Sequence, residues 1–107
     1  MSTTVNLLLK ANTNNLNEAL AKNVEQAISK SCCWVLGKLS AENGLQYQIK
    51  AFSEKLEKLQ HELVNSGIEL AEDATAMISN AASQYSVFRD IEITLIVNEI
   101  PFKAAAI

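Results

Sequence analysis

Between Leu45 and Phe88 the apolar and small positions fall at Leu45, Ile49, Phe52, Leu56, Leu59, Leu63, Gly67, Leu70, Ala74, Met77, Ala81, Tyr85 and Phe88, in steps of three and four. A strand buries every second residue, so steps of three and four point to a helix close to a heptad repeat. The pattern predicts a helix over 45–85, with its seam running on to Phe88. Ser66-Gly67-Ile68-Glu69 is the weak point: Gly67 costs about 1 kcal/mol inside a helix, and Ser66 with Glu69 has capping-box spacing, so a break at 66–67 is the alternative to a continuous rod. An unbroken helix would be about 66 Å long at 1.5 Å per residue. A compact chain of this length has a radius of gyration of roughly 13 Å. The helix must therefore bend, break or take a partner.

The flanking patterns differ. In residues 3–11 Val5, Leu7, Leu9 and Ala11 alternate with Asn6, Leu8 and Lys10, which predicts a strand. Asn12-Thr13-Asn14-Asn15 supplies helix-capping side chains, and Asn15 with Glu18 has capping-box spacing. A helix over 15–39 follows, with Leu16, Leu20, Val24, Ala27, Ile28, Val35 and Leu39 as its apolar stripe. Ser40 to Gly44 reads as a tight turn that sends the next helix back antiparallel. Residues 91–98 alternate again, Ile91, Ile93, Leu95 and Val97 against Glu92, Thr94, Ile96 and Asn98, and Pro101 ends that strand. The expected fold is mainly α (α+β), a single domain over 1–107. It is a long antiparallel helical hairpin, coiled-coil-like, with short N- and C-terminal strands lying antiparallel. Its core is Val5, Leu7, Leu9, Leu16, Leu20, Val24, Ile28, Val35, Leu39, Ile49, Phe52, Leu56, Leu59, Leu63, Leu70, Met77, Ile93 and Leu95.

Composition supports long elements: 107 residues hold three Gly and one Pro, and six aromatic side chains leave the core aliphatic. The net charge of −3 is divided unevenly, +2 over residues 1–52 and −5 over 53–107. No phosphate-binding surface is expected from that balance, so no nucleic acid partner is expected. No stretch is apolar enough to cross a membrane as a helix, and the N-terminus carries no standard export signal. Cys32 and Cys33 are adjacent, and neighbouring side chains on a helix diverge too far for a good disulfide, so a reducing compartment is expected.

Catalytic chemistry finds little footing. His61 is the one histidine and lies off the apolar seam. With Cys32 and Cys33 it lacks zinc-ligand spacing, so no metal or other cofactor is expected. Glu69, Glu72 and Asp73 cluster without a nucleophile or an oxyanion-stabilising element beside them. The chain is read as a non-enzyme.

Two resemblances bear on function. Val5, Leu7, Leu9, Lys10, Ala11, Thr13, Leu16, Ala19 and Leu20 make residues 5–27 resemble the N-terminal segment of phage tail tape-measure proteins, with Asn12 where Asp is more usual. That resemblance covers about a fifth of the chain and implies a small phage- or prophage-encoded protein. Trp34-Val35-Leu36-Gly37 before a turn is similar to WXG-type secreted helical hairpins. The Trp and Gly are one residue too far apart, and Arg89 stands where the acid after Tyr85 would be. The expectation is a non-enzymatic interaction or assembly protein that forms a homo-oligomer through Leu63, Gly67, Leu70, Ala74, Met77, Tyr85 and Phe88. The alternatives are an inhibitor docking on a larger host or phage enzyme complex through its acidic half, and a WXG-like secreted helical hairpin. The expected location is cytoplasmic or virion-associated.

Overall fold

A computed structural model describes residues 5–14, 16–41, 44–84 and 90–99. Strand β1 (Val5–Thr13) is followed by helix α1 (Glu18–Lys30), β2 (Trp34–Ala41) and β3 (Gly44–Phe52). Then come a single 3₁₀ turn (Ser53–Lys55), α2 (Leu56–Asn65), the two-residue strand β4 (Glu69–Leu70), α3 (Glu72–Gln84) and β5 (Asp90–Glu99). The strands form one mixed five-stranded sheet in the order β2-β3-β5-β1-β4. The long helical hairpin and the coiled coil are therefore overturned: the helices have 13, 10 and 13 residues, and the sheet, not a helical seam, organises the chain.

The terminal strands lie where alternation places them, but they run parallel, with Leu9 beside Leu95 and Ala11 beside Val97. Their expected antiparallel arrangement is corrected. Parallel neighbours need a crossover, and here everything between β1 and β5 supplies it. Leu9 and Ala11 of β1, Tyr47, Ile49 and Ala51 of β3, and Ile91, Ile93, Leu95 and Val97 of β5 are buried on one face. The alternate residues, among them Asn6, Leu8, Lys10, Glu92 and Asn98, are exposed on the other. The three helices cover the first face.

α1 begins later and ends far earlier than its apolar stripe suggests. Its N-cap is Asn17, whose side chain accepts from the Leu20 N–H at 2.8 Å; Asn15 lies outside the described residues. Leu20, Ala21, Val24, Ala27 and Ile28 are buried. Beyond Lys30 the chain closes the helix with paired bonds: Cys32 N–H donates to the Ser29 carbonyl at 3.0 Å and Cys33 N–H to the Ile28 carbonyl at 3.1 Å. This is a Schellman motif, which needs a left-handed residue after the cap. Cys32 fills that place at φ 61°, where glycine is usual. Buried Ile28 and Cys33 supply the hydrophobic contact that accompanies the motif. The turn redirects the chain into the sheet, so Val35 and Leu39, expected on the helical stripe, lie in β2 and are exposed.

The reversal predicted around Ser40–Gly44 occurs, but between strands. β2 and β3 pair antiparallel up to Ala41 and Gly44, with residues 42–43 outside the described set. In β3 two patterns coexist. Leu45, Ile49 and Phe52 fit helical steps, while Leu45, Tyr47, Ile49 and Ala51 alternate with Gln46, Gln48 and Lys50. The second pattern prevails because β5 is available as a full-length antiparallel partner, from Gly44 beside Asn98 to Phe52 beside Asp90.

The remaining helical stretch breaks at Ser66-Gly67. α2 buries Leu56, Leu59 and Leu63, and Ser66 folds its hydroxyl back onto the Leu63 carbonyl. Gly67 takes φ 112°, and a Cβ there would stand 3.2 Å from Leu20 Cδ1. A side chain would be strained by the backbone and crowded by α1 together. β4 then pairs with Ala11 and Asn12 of β1, and α3 buries Ala74, Ile78 and Ala81. Among the described residues no helix is long and apolar enough to cross a membrane.

Candidate functional site

The distinctive surface is the outer edge of the sheet at β2. Its inner side pairs with β3; among the described residues no strand lies on its outer side. The ladder slips once, since Val35 pairs with Ile49 and Gly37 with Gln48, leaving Leu36 without a partner on β3. This β-bulge reverses the alternation. Trp34, Gly37 and Leu39 therefore lie on the open face, opposite Lys50, Gln48 and Gln46, whereas Val35, Lys38 and Ser40 lie on the helical face, opposite Ile49, Tyr47 and Leu45.

β2 exposes its apolar side chains to an unusual degree: Trp34 50 %, Val35 41 %, Leu36 55 % and Leu39 66 %. Single exposed apolar residues are ordinary; four on one edge strand form a patch. Trp34 meets Phe52 edge-on, ring centroids 5.9 Å apart. Beside the pair lies a depression of about 410 Å³ lined by Ser29, Cys32, Cys33, Trp34, Phe52 and Lys55. The patch thus continues from the strand edge into a mainly apolar hollow at its N-terminal end.

One cation lies on this strand, and it is turned inward. Lys38 Nζ is 2.9 Å from Glu25 Oε2 on α1 and 5.9 Å from the Tyr47 ring centroid. The Tyr47 hydroxyl, itself buried, donates to the same Glu25 oxygen at 2.9 Å and lies 3.4 Å from the Ala21 carbonyl. The Lys38 hydrogen bond, aided by that of Tyr47 and opposed by partial desolvation, holds Glu25 below the usual carboxylate value. Burial, then the Glu25 hydrogen bond, raises the Tyr47 phenol well above its ordinary value. The network fixes α1 to the β2–β3 hairpin. It also draws the one lysine of this edge strand toward α1, although Lys38 stays 41 % exposed.

The residues the heptad pattern singled out are not gathered into one surface. Leu63 and Ala74 are buried in the chain's own core. Gly67 is the turn residue after α2, Leu70 is half-buried in β4, and Met77 packs partly buried against the core. Tyr85 and Phe88 lie outside the described residues. The helical seam that joined these positions does not exist. Trp34 and Leu36 carry the exposed edge instead. Their signal in the sequence was the run Trp34-Val35-Leu36, which fits neither a helical nor an alternating pattern.

Other chemistry-bearing groups fall apart in space. His61 is exposed on α2, with Nε2 3.2 Å from the Asn65 amide. Glu72 and Asp73 occupy the first turn of α3, where carboxylates complement the helix N-terminus. Cys33 is buried, and desolvation, with Cys32 beside it, pushes its thiol up to about 11, while Cys32 is exposed. No group of three or more His, Cys, Asp or Glu side chains suited to a metal occurs among the described residues. Comparison with protein-family models, curated proteins and solved structures finds no match for this chain.

Proposed function

We propose that this chain is a non-enzymatic interaction or assembly protein whose contact surface is the β2 edge. The carrying observation is the exposure of Trp34, Val35, Leu36 and Leu39 on a strand whose only charged side chain is bound to Glu25. An edge strand offers unpaired N–H and C=O groups that pair with an incoming strand, while flanking side chains set specificity. The hollow beside Trp34 and Phe52 gives such a partner a place for an apolar anchor. A cytoplasmic location fits the two free thiols, since the turn at Cys32 points one cysteine outward and the other inward. The phage or prophage origin suggested by residues 5–27 rests on the resemblance alone.

Site-specific photocrosslinking in cells tests this reading. A photoreactive residue at Leu36 should give a discrete adduct, whereas one at the exposed Glu57 of α2 should give none. Equal labelling at the two positions, or none at Leu36, would remove the β2 edge as the contact surface.

A further inference from the structure

We infer that the strand pairing with β2 is β2 of a second copy of this chain, antiparallel and two-fold symmetric, which joins two five-stranded sheets into one of ten strands. This rests on the reading of β2 as the contact surface and names its partner.

The register permits self-pairing. In an antiparallel edge contact about a two-fold axis, opposed residues share a face and their numbers sum to a constant. The bulge restricts which sums keep faces matched. A sum of 73 sets Trp34 opposite the partner's Leu39, both on the open face, and Val35 opposite the partner's Lys38, both on the helical face. Leu36, the bulged residue, then meets the partner's Gly37, which has no side chain to oppose it. A sum of 78 also matches faces but leaves Trp34, Val35 and Leu36 unpaired, and a sum of 71 matches them but leaves Leu39 unpaired. Sums of 75 and 76 set open-face residues against helical-face ones.

The pairing at 73 engages all four exposed apolar residues of β2. Each Lys38 lies over Val35 and away from its symmetry mate, so no like charges meet. Each Leu39 arrives beside the partner's Trp34, at the rim of the hollow lined by Phe52, Cys32 and Lys55. Four large apolar side chains at 41–66 % exposure, doubled by symmetry, offer at most on the order of 1,000 Å², the low end for a specific interface.

Sedimentation equilibrium on the purified chain, with disulfide trapping, tests this. The expected mass is twice 11.7 kDa at micromolar concentration, halved in the L36K/L39K double variant with an unchanged circular dichroism spectrum. Both substituted positions are solvent-facing, so the variant should fold. In a Cys32→Ser background, Trp34→Cys with Leu39→Cys should oxidise to a covalent dimer, and Trp34→Cys alone should not, because the two Trp34 positions lie at opposite ends of the paired segment. Equal trapping by the single variant would overturn the register and with it the inference. A monomer at all concentrations overturns the inference; if Leu36 then still crosslinks to a different protein in cells, the reading of β2 as a contact surface stands. A monomer with no Leu36 adduct removes both.

Discussion

β2 and β3 are neighbours in one hairpin, and each carries four large apolar or aromatic side chains. In β3, Leu45, Tyr47 and Ile49 are buried under the helices and Phe52 packs against Trp34. In β2, Trp34, Val35, Leu36 and Leu39 all remain substantially in water. The difference comes from position and from one bulge. β3 is flanked by β2 and β5 and keeps strict alternation, so Leu45, Tyr47 and Ile49 find the covered face. β2 has one neighbour, and the extra residue at Leu36 moves Trp34 and Leu39 onto the open face. The apolar residues of β3 are spent on this chain's own core, whereas those of β2 keep much of their surface in water.

The sharpest way to break that comparison is to truncate one residue from each strand. Ile49→Ala should cost about 2–5 kcal/mol, the range for a filled core site. Leu39→Ala should stay within about 0.5 kcal/mol under conditions where the chain is monomeric. Urea unfolding measures both, and comparable losses would mean that the side chains of β2 hold the fold together as much as those of β3.

A smaller effect tests the link between the hairpin and α1. Tyr47→Phe removes a buried hydroxyl from Glu25 while leaving Lys38 in place, and should cost about 1 kcal/mol. An unchanged midpoint in thermal unfolding would show that the network holds nothing.

The turn that feeds β2 should respond in the opposite direction. Cys32 sits in the left-handed region, a conformation that costs a non-glycine residue about 1–2 kcal/mol. Cys32→Gly should therefore stabilise, by up to about 1 kcal/mol once the extra freedom of glycine in the unfolded chain is counted. Thiol labelling provides an independent check. Cys32 should react readily in the native protein, whereas Cys33, buried and pushed up to about 11, should react only on unfolding.

The smallest expected effect is in acid. Glu25 is held below its usual value of 4.5 in the folded protein, so its contribution to stability is complete above that value and is lost as pH falls through the folded one. Glu25 and Lys38 are 39 % and 41 % exposed, so screening by water keeps this contribution small. Unfolding followed from about pH 6 to about pH 3, a window set by the carboxylate range, should show slightly less acid sensitivity in Glu25→Gln than in the parent. Identical slopes would show that the ion pair adds nothing to stability.

How far the sequence was legible follows from the same comparison. Alternation in β1 and β5 was readable because each strand has one uniformly apolar face. The stripe of α1 was readable as far as Ile28, and the break at Gly67 was visible as a glycine beside a potential cap. The hairpin is not legible in the sequence because Leu45, Ile49, Phe52 and Leu56 fit helical steps by coincidence, which hides the period of two in Leu45, Tyr47, Ile49 and Ala51. The end of α1 gave no signal, since nothing about a cysteine announces a left-handed turn at Cys32. β2 could not be recognised by periodicity, because its bulge breaks the alternation that would have revealed it. The candidate site was hidden for that same reason, and the chemistry-bearing residues, His61 and the acids, pointed elsewhere.

Amide hydrogen exchange across the hairpin, followed as a function of protein concentration, tests the central claim most directly. Pairing through β2 predicts that amides within Val35–Leu39 become more protected as the concentration rises, while those of Tyr47–Lys50, already paired on both sides, keep their rates. Exchange in Val35–Leu39 that is fast and independent of concentration would contradict the account.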